Sequence, residues 1–261
     1  MSVTAPQGFR AAGVPAGLKG DGARDVAVVV NDGPSRAVGA VFTGADDRAA
    51  PVLWSQQVAS GGRVRAVVVS SGGANAGTGP TGFQDVHAAA EHTADLLDDS
   101  AAEVVLCATG PVGTRTDPAA LREGITAALA EASRGGGLAA ADAIRTTDTV
   151  AKIAFRRGGG YTVGAMAKGP DDSLSTVLCV LTTDADVTAD QCQRLLTATA
   201  GTCLDPLTAT NDAVLLMASG ASGTVPDEDD LAALLTEVLT ELATQLGADT
   251  PATEHDRAEN S

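Results

Sequence analysis

Thr176 stands at the point where a polar, turn-rich segment, residues 168–175, runs into the apolar stretch 177–181. A short apolar stretch bounded by turn residues predicts a buried strand, so Thr176 would be the last residue before that strand. If the chain breaks between Ser175 and Thr176, the new chain begins with a threonine. Its hydroxyl is then a nucleophile, and its own α-amine, with a pKa of roughly 7.7–8.0, is the base. The plainer interpretation is an ordinary residue at the start of a strand.

Two further groups have side chains or backbone atoms suited to the same chemistry. Thr109 and Gly110 follow the apolar stretch 103–107, and a strand that ends in a Thr-Gly turn can direct one hydroxyl and one backbone N–H at a common point. Such a pair can stabilise an oxyanion during acyl transfer, although a simple strand-to-loop turn explains it as well. Lys168 precedes Thr176 in the same segment, and a cation beside the Thr176 amine would keep that amine neutral. A solvated turn lysine is the alternative.

The elements that must position these residues alternate between strands and helices, which predicts an α/β (α+β) fold. Residues 25–30 and 37–42 read as strands, and the turn sequence Asn31-Asp32-Gly33-Pro34 between them predicts a hairpin. A second hairpin is predicted at 153–155 and 161–166. Further strands are expected at 64–70 and 103–107 and helices at 84–97, 117–133, 188–200 and 226–246.

Composition excludes several classes of protein. The formal net charge is −16, which argues against a nucleic-acid partner, whose phosphates require lysine and arginine. The longest apolar runs are too short to span a bilayer, so we expect no membrane segment and a cytoplasmic location. The four cysteines have no metal-ligand spacing, so we expect no metal site and reduced thiols. Gly77 to Gly82 matches GxGxxG, but Pro80 and the lack of an acidic residue after the next strand argue against a dinucleotide loop.

Several of these motifs, in this order, resemble those of the ornithine acetyltransferases, the bifunctional enzymes of arginine biosynthesis. The resemblance covers about residues 8–247. It is carried by Lys168-Gly169, Ser175-Thr176 and the strand that ends Thr182-Thr183-Asp184-Ala185, together with the Thr-Gly-x-x-Gly pattern that begins at Thr109 and the run Thr146-Thr147-Asp148-Thr149-Val150-Ala151-Lys152.

The resemblance implies a four-layer αββα sandwich that lacks its C-terminal part, and a ping-pong acetyl transfer with no bound cofactor. Thr176 would be the nucleophile after cleavage, Thr109 and Gly110 the oxyanion hole, and Thr146, Thr147 and Lys168 substrate-binding residues. The implied substrates are N2-acetylornithine and glutamate, with acetyl-CoA as the donor in bifunctional members. A cleaved protein would form an α/β heterotetramer.

The resemblance also divides the chain into an α-chain-like segment, 1–175, the first part of a β-chain-like segment, 176–247, and a tail, 248–261, expected to be disordered. The segment 170–172, Pro-Asp-Asp, departs from the family pattern, and the glutamate expected after the last helix is absent. Two alternatives therefore remain open. One is a truncated, catalytically inactive relative with an unpaired sheet edge; the other is an N-terminal-nucleophile aminopeptidase of similar architecture.

Overall fold

The computed structural model describes residues 2–20, 22–169, 176–204 and 206–249. Within them the chain forms strands and helices in alternation. The strands are β1 (Phe9–Val14), β2 (Val26–Asn31), β3 (Ala37–Phe42), β4 (Ala66–Ser70), β5 (Val104–Ala108), β6 (Lys152–Gly158), β7 (Tyr161–Lys168), β8 (Leu178–Thr183) and β9 (Ala213–Ala218). The helices are α1 (Ala50–Ser60), α2 (Gly79–Leu97), α3 (Pro118–Glu131), α4 (Gly137–Ala143), α5 (Ala189–Cys203) and α6 (Glu228–Ala248).

The strands form two sheets. The first has the order β1-β2-β4-β5, with antiparallel pairs except for the parallel pair β4 and β5. The second has the order β3-β9-β8-β7-β6, in which β8 and β9 are parallel. The central strands are valine-, leucine- and alanine-rich runs that are buried along their whole length, as expected for strands covered on both faces.

Three apolar cores define the layers. One lies between the sheets and includes Val29 and Val67 from the first sheet, Val180 and Leu215 from the second, and the short helix α4. The outer face of the first sheet packs on α1, α2 and α3, and that of the second packs on α5 and α6. The expected four-layer αββα sandwich is confirmed.

The hairpin predicted around Asn31 to Pro34 is wrong. β2 already has β1 on one side and β4 on the other, so it has no free edge for β3, which pairs with β9 in the other sheet. The turn instead carries the chain from one sheet to the other. The buried Asn31 amide stabilises this crossing by donating hydrogen bonds to the carbonyl oxygens of Ser35 and Ala218, both at 3.1 Å.

Most other elements agree with the sequence predictions. The β6–β7 hairpin is confirmed, as is the capping box of α5, in which Thr188 and Gln191 exchange hydrogen bonds. At the C-terminal end, however, α6 continues to Ala248, and Asp249 hydrogen-bonds to Thr149. Residues 248 and 249 of the expected tail therefore belong to the described structure, whereas 250–261 lie outside the described residues. The segments 1–175 and 176–247 share one sheet, because β7 pairs with β8.

Side chains from helices protect the outer strands of both sheets. Ser55 of α1 caps β5: its hydroxyl donates to the Leu106 carbonyl at 2.6 Å and accepts from the Leu106 N–H at 3.0 Å. The side-chain amides of Gln193 and Gln245 make equivalent two-bond contacts with Ala40 of β3 and Ile153 of β6. At one residue of each of these three outer strands, a helical side chain therefore takes the place of a neighbouring strand.

In the part of the chain that the structure describes, no helix has the length and hydropathy that crossing a membrane requires. The four cysteines are free thiols. Burial raises the pKa of the Cys107, Cys179 and Cys192 thiols to about 12.

Candidate active site

The site lies where strand ends of the two sheets meet. The first sheet contributes the loops after the parallel strands β4 and β5, whose carboxyl ends lie side by side. The second sheet contributes the end of β7 and the residue that precedes β8 by two positions, and these two strands are also neighbours. Together these ends border a cleft of about 1070 Å³.

The described residues proposed from the sequence converge on this cleft. Its lining includes all of the proposed oxyanion, substrate-binding and nucleophilic residues: Thr109, Gly110, Thr146, Thr147, Lys168 and Thr176. Ser175, on the other side of the proposed cleavage point, lies outside the described residues. The same holds for segment 170–172, which departs from the family pattern. Residues that are widely separated along the chain therefore share one site.

Thr176 is buried, with 7% of its surface exposed, and precedes β8 by two residues. The start of β8 is fixed by Asp212: its carboxylate accepts hydrogen bonds from the backbone N–H of Val177 at 2.7 Å and of Ala209 at 2.8 Å. Burial raises the pKa of the Asp212 carboxyl above its usual value, although these backbone donors and the charge of Lys168 act in the opposite direction. Asp212 was not among the sequence-predicted site residues.

Lys168 is the last residue of β7 and is almost fully buried, at 1% exposure. The solvated-turn interpretation is therefore wrong, because the ammonium points into the site. Its Nζ donates to the hydroxyl oxygen of Thr109 over a long 3.5 Å. Because that oxygen is the acceptor, the Thr109 hydroxyl proton remains available for donation to another oxygen atom.

Gly110 has a backbone conformation that favours glycine, with φ at +120°. A Cβ atom at this position would lie 2.8 Å from the backbone nitrogen of Gly73, which is too close for a real contact. Thr109 is also held against the loop that contains Gly73, since the Thr109 carbonyl accepts a hydrogen bond from the Gly73 N–H at 3.1 Å. The Thr-Gly turn is thus fixed in position before any substrate binds.

Thr146 and Thr147 both border the cleft, so the sequence motif alone did not separate them. The structure does separate them: Thr146 is half-buried, and its hydroxyl oxygen is buried with no hydrogen-bond partner among the described residues, whereas Thr147 is exposed. An unpartnered buried hydroxyl at a cleft wall is suited to bind a ligand, because leaving it unsatisfied is costly.

The segment that carries these threonines is anchored by a buried ion-pair cluster. Lys152 donates to Asp148 at 2.7 Å and also to Asp249, and Asp249 in turn accepts from Thr149. The hydrogen bond from Lys152 is the main cause that lowers the pKa of the Asp249 carboxyl well below its usual range. The cluster ties the segment to the C-terminal end of α6, a link that sequence reasoning missed.

The cleft is basic although the protein is acidic. Lys19, Arg24 and Arg145 line its mouth, and Asp142 is the acidic residue that lies between the two arginines. Among the described residues, no group of three or more histidine, cysteine or acidic side chains could hold a metal ion. The site therefore offers hydroxyl, backbone N–H and ammonium groups, which suit an anionic substrate or a developing oxyanion.

The αββα sandwich has counterparts among solved structures of low sequence identity. The L-aminopeptidase D-Ala-esterase/amidase of Ochrobactrum anthropi, described as a variant of the Ntn hydrolase fold, matches 98% of this chain and 89% of its own with a TM-score of 0.58. At 15% identity this similarity concerns the fold alone.

The family follows from closer relatives. The ArgJ family model matches residues 10–256, and the arginine biosynthesis bifunctional protein ArgJ of Thermobifida fusca is 60% identical over 95% of this chain and 67% of its own length. The crystal structure of the Mycobacterium tuberculosis ornithine acetyltransferase, complexed with ornithine, is 47% identical with a TM-score of 0.65, covering 68% of this chain and 96% of that chain. This chain belongs to the ArgJ family and spans about two thirds of the length of the curated relatives it matches.

Proposed function

We propose that this protein is an acetyltransferase of arginine biosynthesis in which Thr176, freed by cleavage after Ser175, carries the acetyl group. One observation carries the proposal: Thr176, the Thr109-Gly110 turn and Lys168 face a single cleft although they come from separate parts of the chain. Membership of the ArgJ family supports the reaction class.

In the first half-reaction the Thr176 hydroxyl attacks the acetyl carbonyl of N2-acetylornithine. The negative charge that develops on the carbonyl oxygen accepts hydrogen bonds from the Thr109 hydroxyl and the Gly110 N–H. Collapse of the tetrahedral intermediate releases ornithine and leaves acetyl-Thr176. The amine of glutamate then attacks this ester, giving N-acetylglutamate and restoring the free hydroxyl.

The base in both steps is the α-amine of Thr176. It accepts the hydroxyl proton during attack and returns a proton to the leaving amine. The nearby Lys168 cation opposes protonation of this amine, because two like charges in a buried site repel each other. Lys168 therefore keeps the base neutral and also orients the Thr109 hydroxyl.

The lengths of the solved relatives support a break in the chain. In the sequence comparison, 95% of this chain matches 66% of the length of the M. tuberculosis ArgJ protein. In the structure comparison, 68% of this chain already matches 96% of the solved M. tuberculosis chain. The solved chain is thus much shorter than the curated sequence. A similar pair of shares, 68% and 95%, holds for the Bacillus halodurans ArgJ structure.

The remaining parts of the proposal concern substrates and assembly. The basic mouth of the cleft suits the carboxylates of glutamate and acetylornithine, and the phosphates of acetyl-CoA as a second acetyl donor. No resident cofactor takes part in the steps above. After cleavage the two pieces would assemble as an α/β heterotetramer, and the reaction would take place in the cytoplasm.

Intact-mass analysis of the purified protein tests the proposal. We expect two masses that meet between Ser175 and Thr176, together with acetyl transfer from N2-acetylornithine to glutamate. Thr176→Ala should remain one chain, and Thr176→Ser, which keeps a hydroxyl, should still be cut. A single uncut chain would contradict the mechanism, since the amine that acts as base would not exist.

An inactive relative is the second candidate, favoured by the segment Pro170-Asp171-Asp172, which departs from the family pattern. Cleavage without transfer of any acetyl group would support it. Hydrolysis of amino-acid amides without acetyl transfer would point instead to an aminopeptidase.

A further inference from the structure

Asn211, just before β9, holds a buried polar atom that the fold does not use. The residue is 1% exposed, and its side-chain nitrogen donates to the carbonyl oxygen of Ala74 at 2.6 Å. Its side-chain oxygen, Oδ1, has no hydrogen-bond partner among the described residues. A buried acceptor without a donor costs on the order of 1–3 kcal/mol, so its presence needs an explanation.

The position of Asn211 matches that of Thr176. β8 and β9 are parallel neighbours with Leu178 opposite Ala213, and the two residues each lie two positions before that pair. Leu178 and Ala213 both face the core between the sheets. Asn211 lies in the turn that leads into β9, next to Asp212, whose carboxylate accepts from the Val177 N–H, so Thr176 and Asn211 lie at the same level of two neighbouring strands.

Cleavage before Thr176 creates a new donor at this level. A chain-internal Thr176 has one backbone N–H, whereas a new amino terminus has two hydrogens as a neutral amine and three when protonated. The neighbouring carboxylate of Asp212 is already engaged, because it accepts from the backbone N–H groups of Val177, Ala209 and Thr208. Asn211 Oδ1, by contrast, is a buried acceptor beside this level with no donor among the described residues.

We propose that Asn211 is a positioning residue whose side-chain oxygen accepts a hydrogen bond from the Thr176 α-amine once the chain is cut. This inference rests on the proposed function, since it requires that amine. The bond holds one N–H toward Asn211 and so directs the nitrogen lone pair at the Thr176 hydroxyl, from which it takes the proton. Donation from Asn211 to Ala74 keeps the amide oriented with its oxygen toward the amine.

The test is a direct measurement of the Thr176 amine pKa in the cut protein, by competitive acylation across pH with mass spectrometry. This readout does not depend on enzyme turnover. The charged groups that face the amine are Lys168 from β7 and Asp212 before β9, with Lys19, Arg24, Asp142 and Arg145 across the cleft. The variants leave all of them unchanged.

Asn211→Leu removes the acceptor and should lower the amine pKa by about one unit, because the ammonium form loses a hydrogen bond. Asn211→Asp keeps an acceptor oxygen and adds negative charge, so it should raise the pKa by about one unit. The kcat for acetyl transfer by Asn211→Leu should fall roughly 10²-fold, with little change in KM, because the amine is no longer oriented toward the Thr176 hydroxyl.

The matched control is Asn31→Leu. Asn31 is another fully buried amide that lies near neither Thr176 nor the cleft, so this variant should leave the pKa of the Thr176 amine unchanged.

Opposite pKa shifts in the two Asn211 variants would support the proposal, and Asn211→Asp alone decides it if the leucine variant does not fold. A cut, active protein in which neither variant moves the amine pKa would overturn the role of Asn211 and leave the proposed function intact. An uncut wild-type chain would overturn both.

Discussion

Gly110 holds the oxyanion turn in a conformation that a side chain would disturb in two ways. Its φ of +120° disfavours an L-residue, and a Cβ would meet the Gly73 nitrogen at 2.8 Å. We expect Gly110→Ala to lower the free energy of unfolding by roughly 3 kcal/mol, as measured by urea denaturation. Gly77→Ala is the control, because Gly77 has φ at +69° but open space around it, and should cost only about 1 kcal/mol. Equal losses would show that the close approach to Gly73 has no effect.

The Thr109 hydroxyl is expected to act on the rate rather than on stability. Thr109→Val keeps the shape of the buried side chain but removes the donor, so kcat for acetyl transfer should fall about 10²- to 10³-fold. Thr109→Ser keeps the hydroxyl and should retain most of the rate. A valine variant with undiminished kcat in single-turnover assays would remove Thr109 from the oxyanion hole.

At this scale the sequence predicted residues that belong to contiguous motifs and missed those defined by neighbours in space. Thr109, Thr146, Lys168 and Thr176 each lie in a recognisable motif and all reach the cleft. Asn211 begins a run that also resembles a family segment, but the sequence assigned it no role, because its place beside Thr176 comes from the parallel pairing of β8 with β9. The choice between Thr146 and Thr147 likewise depended on burial, which their shared motif does not encode.

Among the elements, α6 is linked to the substrate-binding segment through Asp249 and Lys152. Asp249→Asn should destabilise the protein by about 1–3 kcal/mol at pH 7, since a hydrogen bond to a buried ammonium is weakened. The pKa of Asp249 is lowered in the folded state, so its contribution is present above the ordinary carboxyl pKa and is lost as pH falls. The difference in unfolding free energy between wild type and variant should therefore shrink below about pH 4. A difference that stayed constant down to pH 2 would contradict the ion pair.

The contact between helix α1 and strand β5 makes a contribution to stability that a single substitution can isolate. Ser55→Ala leaves both the N–H and the carbonyl of Leu106 without their partner, so we expect a loss of roughly 2 kcal/mol in chemical denaturation. Ser60→Ala, at the exposed end of the same helix, should change stability by less than about 0.5 kcal/mol. If both variants unfold at the same denaturant concentration, the hydroxyl does not protect this edge.

The sequence predicted which segments are helices or strands where nearby residues determine them, but it did not predict which strands pair with each other. The β6–β7 hairpin and the capped helix α5 follow from nearby residues. The Asn31 to Pro34 turn looked equally local, but the long-range partners of β2 decided its role. The helix α1 was missed because its residues have no clear amphipathic pattern, since it packs on α2 and on both sheets.

For the whole molecule, the four thiols report on whether this chain folds as described. Cys107, Cys179 and Cys192 are buried with pKa values of about 12, whereas Cys203 is partly exposed. Because only a thiolate reacts with iodoacetamide, the native protein should be modified at Cys203 alone and the urea-unfolded protein at all four cysteines. Rapid modification of all four without denaturant would mean that the sandwich does not form.

The order of strands in the second sheet determines what a cut before Thr176 does to the energetics of refolding. In that sheet, β8 and β9 belong to the piece that follows the cleavage point, and they lie between β3 and β7, which belong to the piece that precedes it. Two interleaved pieces would remain associated without a covalent link, but after denaturation they must find each other again. Folding would change from a unimolecular to a bimolecular process, and the melting temperature of the cut protein would rise with its concentration while that of Thr176→Ala would not. The nicked enzyme, assembled first from a single chain, would then reform after dissociation only as its two pieces meet.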